Sequence, residues 1–173
     1  VNRYPGYLKD YDLLILSYEF FKPDSPSINT SIANWVAEGG VLVYVGDGSD
    51  PFHGVKSWWN QAGEYNTPAE HLMEQLGLGK TPANGIYEYG KGQVSVLNAR
   101  PALLCETEEG SALMRDTVEV AMATKGFVWN HTNVLMLRRG TYLVVSCMDE
   151  SCADAPFCEK GLFVDMTDPA LPV

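Results

Sequence analysis

The sequence is poor in basic residues and has no long apolar run. It contains 12 lysines and arginines against 22 aspartates and glutamates, a formal net charge of -10 over 173 residues. Such a surface repels phosphate backbones and anionic lipid headgroups, so neither nucleic acid nor a membrane is an expected partner. No stretch approaches the ~20 apolar residues that span a bilayer, and the start, Val1-Asn2-Arg3-Tyr4-Pro5, lacks a signal-peptide core. A soluble protein is expected, with the cytoplasm favoured.

Motifs that mark several enzyme classes are also missing. There is no G-x-S-x-G or G-x-C-x-G sequence that would place a nucleophile on a sharp turn. Gly46 and Gly48 are not followed by the third glycine and the lysine of nucleotide-binding loops. The sequence therefore predicts no cofactor and identifies no catalytic residue.

The four cysteines match no zinc pattern. Cys147, Cys152 and Cys158 follow a C-x4-C-x5-C spacing, without the paired short knuckles of structural zinc sites, and Cys105 stands apart. No metal site is predicted from them, and we interpret them mostly as free thiols. A disulfide between Cys152 and Cys158 is the alternative, which a thiol titration under denaturing conditions would test.

What the sequence does contain is a strand-helix-strand pattern with enough apolar residues, 46%, for a core. Leu13-Leu14-Ile15-Leu16 is typical of a strand buried on both faces of a parallel sheet. A helix stripe follows and ends at Gly39-Gly40, and a second buried strand is predicted over 41–45. The stripe consists of Ile28, Ile32, Trp35 and Val36. Short connections favour a right-handed parallel crossover.

Three further helices are predicted downstream. Asp50-Pro51 has the form of a cap followed by a first-turn proline, which predicts a short helix over 51–60. Its inner face would carry Val55, Trp58 and Trp59, with one of the two tryptophans partly exposed. Thr67-Pro68-Ala69-Glu70 is a capping box that begins a second helix. The longest helix is predicted over 108–125, with an apolar stripe of Leu113, Met114, Val118, Ala121 and Met122.

The remaining patterns predict β-structure. Residues 86–89 and 93–97 alternate around Gly90-Lys91-Gly92, as in a hairpin or two short strands at a sheet edge. Beyond residue 127 the helical period disappears, and antiparallel strands are predicted over 134–138, 142–147 and 162–166. Because only three runs are typical of core parallel strands, either a C-terminal strand joins the sheet or an N-terminal strand-helix unit is missing. The chain has no initiator Met, and we expect a segment of a longer polypeptide.

A candidate site follows from this topology. Ligands of doubly wound sheets bind outside the carboxyl ends of the strands, which places 17–19 and the turn Gly46-Asp47-Gly48-Ser49-Asp50 on one rim. Asp47, Asp50 and Glu19 could together hold a hard cation such as calcium or magnesium, or bind sugar hydroxyls. Singly, Asp50 is explained as a helix cap, Asp47 as a turn residue and Glu19 as a solvated residue. A histidine near this rim is a candidate proton shuttle, and an exposed tryptophan could stack on a sugar. The ligand-binding candidates are Tyr18, Glu19, Asp47, Ser49, Asp50, His53 and Trp58.

Three motifs resemble class I glutamine-amidotransferase-like domains, in particular those embedded in multidomain glycoside hydrolases such as the trimerisation domain of β-galactosidases. The motifs are Tyr11-Asp12-Leu13-Leu14-Ile15-Leu16-Ser17, Trp35-Val36-Ala37-Glu38-Gly39-Gly40-Val41-Leu42-Val43-Tyr44 and Gly90-Lys91-Gly92-Gln93-Val94. The resemblance covers about residues 11 to 126, and 133–166 look similar to the β-sandwich that commonly follows. It implies a flavodoxin-like three-layer α/β domain with a parallel sheet over 1–126. The β-strand segment at 127–173 would be the start of a truncated sandwich.

The family's nucleophile is absent from this chain. Amidotransferases place a cysteine on the elbow and a histidine and glutamate later, whereas this chain has Asp47 or Gly48 there and no His-x-Glu pair. The resemblance therefore implies a non-catalytic accessory or oligomerisation domain of a larger carbohydrate-active enzyme, shaping an active-site rim. Its partners would be other domains of the same polypeptide, a second copy or a carbohydrate. The alternatives are a stand-alone sugar- or metal-binding module, or a hydrolase that uses Asp47, Asp50 and His53.

Overall fold

The structure is a computed structural model that describes residues 4, 6–19, 21–130, 132–148 and 158–170. The chain divides into two units, Val1–Trp129 and Asn130–Val173, each described by itself below. The division lies close to the change of pattern expected near residue 127.

Unit 1 is built on a four-stranded, mostly parallel sheet. Its strands are β1 (Leu13–Leu16), β2 (Val41–Val45), β3 (Gly85–Tyr89) and β4 (Gly92–Leu97). The order is β1-β2-β4-β3, in which β1, β2 and β4 run parallel and β3 is antiparallel to β4. The mixed α/β class is therefore confirmed, and the two short alternating runs form a hairpin in which Tyr89 pairs with Gly92.

Four helices accompany the sheet: α1 (Pro26–Ala37), α2 (Pro68–Gln75), α3 (Pro101–Leu104) and α4 (Glu108–Ala123). The Thr67 hydroxyl accepts the N–H of Glu70 at 3.2 Å and caps α2, which confirms the predicted helix start. Thr107 caps α4 in the same way, by accepting the N–H of Gly110 at 3.0 Å. The short α3 was not predicted.

The core lies on both faces of the central strand β2. Its residues alternate: Leu42 and Tyr44 pack with buried residues of α1 and α2, whereas Val41, Val43 and Val45 pack with residues of α3 and α4. All five residues of β2 are buried, as a continuous apolar run in a parallel sheet requires.

The prediction that β1 is buried on both faces is wrong. β1 is one of the two edge strands of the sheet, and Ile15 is 48% exposed. The predicted stripe of α4 is also too wide. Val118 and Ala121 are buried, but Leu113 is exposed. The helix packs on the inner strands β2 and β4, and only part of its apolar stripe faces them.

The prediction of a helix over 51–60 is also wrong beyond the first turn. A 3₁₀ helix spans only Pro51–Gly54, after which Val55 is extended and exposed. The side-chain amide of Asn60 donates to the carbonyls of His53 (3.2 Å) and Val55 (3.0 Å). These are carbonyls that a continuing helix would use, so the side chain competes with helical hydrogen bonds. As predicted, one tryptophan is less buried: Trp59 is buried and Trp58 is half-buried.

Unit 2 contains an antiparallel hairpin of β5 (Val134–Arg139) and β6 (Tyr142–Cys147), which turns at Gly140 with a φ of 59°. The two strands form their own sheet, so for the described residues the alternative in which a C-terminal strand joins the larger sheet is wrong. The strand predicted over 162–166 is absent from the described residues, and Leu162 is 88% exposed. An apolar run becomes a strand only where a neighbouring strand pairs with its backbone groups.

The disulfide alternative is not tested by the described residues. Cys152 lies outside the described residues, so its pairing with Cys158 stays a prediction, while Cys105 is an exposed free thiol at the end of α3. No helix in the described part of the chain has the length and apolarity needed to cross a membrane.

Candidate functional site

The carboxyl ends of β1, β2 and β4 meet at one rim. Residues 17–19 follow β1, the turn at 46–50 follows β2, and Asn98 follows β4. The N–H of Gly46 donates to the carbonyl of Leu97 at 3.1 Å, which joins the turn to the end of β4. Parallel pairing thus brings together segments that are distant in sequence.

The Glu19 carboxylate organises the turn. Its Oε1 accepts the N–H of Gly48 at 3.0 Å and its Oε2 accepts the N–H of Asp50 at 3.1 Å. A Cβ on Gly46 would lie 3.1 Å from Glu19 Oε1 and 2.8 Å from the Tyr44 hydroxyl, so a larger residue here would push these two side chains out of position. The reading of Glu19 as a solvated residue is wrong, because it is buried against the turn.

Asp50 also has a structural role in the turn. Its Oδ1 accepts the N–H of Phe52 at 3.0 Å and caps the 3₁₀ helix, and its Oδ2 forms an ion pair with the Lys22 ammonium. Lys22 also donates to the Tyr18 carbonyl at 2.6 Å. Lys22 was not identified from the sequence, since no local pattern connects it with a residue 28 positions away.

His53 completes this buried cluster and has no hydrogen-bond partner for either ring nitrogen among the described residues. The residue is only 5% exposed, and its Nε2 lies 3.7 Å from Glu19 Oε2, beyond hydrogen-bond distance. Burial and the nearby Lys22 charge lower the pKa of His53, whereas Glu19 and Asp50 oppose the shift. The imidazole is therefore neutral near pH 7, and one of its nitrogens carries an available lone pair.

Asp47 and Ser49 form the exposed side of the turn. Asp47 Oδ1 accepts the N–H of Ser49 at 3.0 Å, and Arg100 donates from Nε (2.9 Å) and Nη2 (2.7 Å) to the Ser49 hydroxyl. Partial desolvation raises the pKa of Asp47, but the Ser49 hydrogen bonds and the Arg100 charge outweigh it and the net pKa is lowered. The Asp47 carboxylate is thus ionised at neutral pH.

A pocket of about 240 Å³ with a mixed polar and apolar lining lies between this turn and the start of α2. Its polar lining includes Tyr44, Asp47, Asn66, Glu70, Lys80 and Asn98. Glu70 holds Asn66 through the backbone N–H (2.8 Å) and the side-chain amide (3.0 Å). Of these polar residues only Asp47 was predicted. The sequence analysis missed Tyr44 because it lies within the apolar run of β2. The other four come from segments whose local patterns indicate only caps and loops.

The side chains of Tyr18 and Trp58 pack against other residues of unit 1. The Tyr18 hydroxyl is buried and donates to Asn29 Oδ1, which directs the ring toward α1. Trp58 donates from its indole N–H to the Pro23 carbonyl at 2.8 Å, and its ring packs edge-to-face with Trp59 and His71. The seven predicted residues therefore form a buried cluster, an exposed turn and two packing positions.

Comparison with known proteins gives no relative: no protein-family model, curated protein or solved structure matches the chain. The site is therefore interpreted from its own geometry.

Proposed function

We propose that unit 1 is a non-catalytic accessory or oligomerisation domain of a larger carbohydrate-active enzyme, and that its rim pocket binds a small polyhydroxylated ligand. The flavodoxin-like class is part of the same proposal. Three parallel strands with helices on both faces support it.

The accessory role is supported mainly by the residues and hydrogen bonds of the turn at 46–50, the position at which an amidotransferase would carry its nucleophile. No cysteine or base-activated serine occupies the turn, and the Ser49 hydroxyl accepts two hydrogen bonds from Arg100. A serine nucleophile needs a neighbouring general base, whereas a guanidinium cannot accept a proton. The turn is thus built for rigidity, with the Glu19 carboxylate holding its backbone.

The rim pocket supports ligand binding. It combines an exposed carboxylate, Asp47, with the side-chain amides of Asn66 and Asn98 over an apolar floor that includes Met73 and Val96. Carboxylates and amides are the groups that bind sugar hydroxyls, and an apolar floor suits the C–H face of a ring. The volume of about 240 Å³ is below the roughly 300–1,000 Å³ of drug-sized sites, so a single small ligand is expected.

The hydrolase alternative requires Asp47, Asp50 and His53 to act on one substrate. Asp50 and His53 are buried in the cluster with Glu19, whereas Asp47 is exposed on the turn and lies outside that cluster. The alternative would regain support if Asp47→Asn and His53→Ala abolished a measurable turnover.

Ligand binding is tested by recording amide NMR spectra during titration with glucose, galactose and N-acetylglucosamine. Shifts should concentrate at 46–50 and 66–70 for at least one sugar. Asp47→Asn should weaken the affinity for that sugar about three- to tenfold, because it removes about one hydrogen bond to the ligand. Asp116→Asn, which changes an exposed carboxylate on α4, is the matched control and should leave it unchanged. Flat titrations for all three sugars would contradict the ligand part of the proposal.

The accessory role is tested separately by the coding sequence that flanks this segment. A glycosidase domain in the same reading frame is the expected result, and a complete reading frame without one contradicts this role.

A further inference from the structure

We propose that Glu19, Asp50 and His53 form a binding site for a divalent transition-metal ion, such as Zn²⁺ or Mn²⁺, which takes the place of the Lys22 ammonium. The site lies beneath the turn and uses none of the proposed pocket residues.

The geometry suits a metal ion. One ligand atom from each of the three residues lies within 4.8 Å of the other two, and all three residues are buried. Nitrogen and oxygen ligands bind Zn²⁺ at about 2.0–2.2 Å, so two tetrahedral ligands are roughly 3.4 Å apart. The 3.7 Å separation of His53 Nε2 and Glu19 Oε2 is close to that spacing, although it is too long for a hydrogen bond.

The unpartnered imidazole is the independent observation that points to a ligand. Only 5% of the His53 surface is exposed, yet neither ring nitrogen has a hydrogen-bond partner in the described residues. An unsatisfied buried polar group destabilises the folded state, so natural structures rarely keep one without a use. A metal ion bound at Nε2 would use the lone pair and face the two carboxylates.

The carboxylates can bind a metal without releasing the turn. Each Glu19 oxygen accepts one backbone N–H, and a carboxylate oxygen has a second lone pair for an ion. Asp50 Oδ1 keeps its bond to Phe52, while Oδ2 holds Lys22.

Lys22 occupies the cation position at Asp50 and is the group that a metal must displace. Its side chain is 13% exposed, so it is not sealed inside the unit. Binding of a metal ion would require this side chain to rotate away from Asp50. Loss of this competing charge should strengthen metal binding. A cluster with a purely structural role would only lose stability.

The ligand types select the class of metal. An imidazole with two carboxylates suits Zn²⁺, Mn²⁺, Fe²⁺ or Co²⁺, whereas Ca²⁺ and Mg²⁺ prefer all-oxygen sites. We therefore expect binding of the first group and little response to the second.

The test is calorimetric titration with ZnCl₂, MnCl₂, CoCl₂, CaCl₂ and MgCl₂ on wild type and single variants, with Co²⁺ absorption spectra as a second readout. Lys22→Met should increase affinity for Zn²⁺ at least tenfold, and His53→Ala should decrease it at least tenfold. His71→Ala, which removes another histidine of the same unit, should leave the affinity unchanged. Circular dichroism establishes that each variant is folded, and His53→Gln replaces His53→Ala if the latter is not.

Three results would overturn the proposal: no transition-metal binding by wild type or Lys22→Met, equal affinity in wild type and the His53 variant, or loss of binding in His71→Ala. The sugar titrations are performed with EDTA present, so failure of either proposal is recognised independently of the other.

Discussion

Replacing Glu19 by glutamine isolates the contribution of one carboxylate to the rim. The substitution keeps the shape of the side chain but replaces one acceptor oxygen with an amide donor. That donor would face one of two backbone N–H groups, those of Gly48 and Asp50, which the carboxylate now accepts at 3.0 and 3.1 Å.

The magnitude follows from these two bonds. A hydrogen bond to a charged group contributes about 1.5–3 kcal/mol, and the variant loses one such bond and turns the other into a neutral one. We expect opening of the turn to become easier by about 2–3 kcal/mol. A change of this size corresponds to roughly 30- to 140-fold faster amide exchange through local opening.

Native-state hydrogen exchange at the amides of Gly48 and Asp50 measures the free energy of local opening of the turn. EDTA is present in these samples to exclude metal ions. Urea unfolding of the same samples gives the global free energy. Glu38→Gln makes the same chemical change at an exposed position just after α1, and it should change stability by less than about 0.5 kcal/mol. Unchanged exchange at both amides in a folded Glu19→Gln protein would refute the assigned role of the carboxylate.

Three further predictions concern the framework of the site. Burial lowers the pKa of His71 below its ordinary 6.5, and its Nδ1 lies 3.1 Å from the Asn29 amide nitrogen, from which the neutral ring accepts. The unfolded chain thus binds the proton more tightly, so stability should be full above pH 6.5 and fall as the pH decreases toward the folded pKa. The free energy of unfolding in urea should therefore differ less between pH 7.5 and pH 5.5 in His71→Gln than in wild type. An equal difference in the two proteins would contradict this prediction. Asn29→Ala removes a fully buried amide that makes three hydrogen bonds and should destabilise the protein by about 3 kcal/mol in urea unfolding. The exposed Asn34→Ala on the same helix should have little effect, and similar losses in both would be evidence against the network. Gly92→Ala would place a Cβ 2.1 Å from a carbonyl oxygen of α1, so we expect a loss of at least about 3 kcal/mol or failure to fold. Gly54→Ala, which meets nothing within 4 Å, is its control, and a stable Gly92→Ala protein would contradict the packing.

Local patterns determined much of the fold. The uninterrupted apolar run of β2 predicts a strand buried on both faces, because a central parallel strand has no solvent side. The cap at Thr67 predicts where α2 begins, since a side chain three residues away satisfies the N–H of Glu70. The sequence also placed the turn at 46–50 after a strand end, where parallel topology gathers ligand sites.

Tertiary structure alone decided the rest. Whether Leu13–Leu16 is central or at the edge depends on its neighbours in the sheet, and neighbours are not encoded in an apolar run of four residues. Glu19 reaches the N–H of Asp50 across 31 positions, and Lys22 reaches Asp50 across 28. Such contacts depend on how two strands align in the sheet. Asp47, which the sequence grouped with Glu19 and Asp50, therefore lies outside the buried cluster, and His53 takes its place.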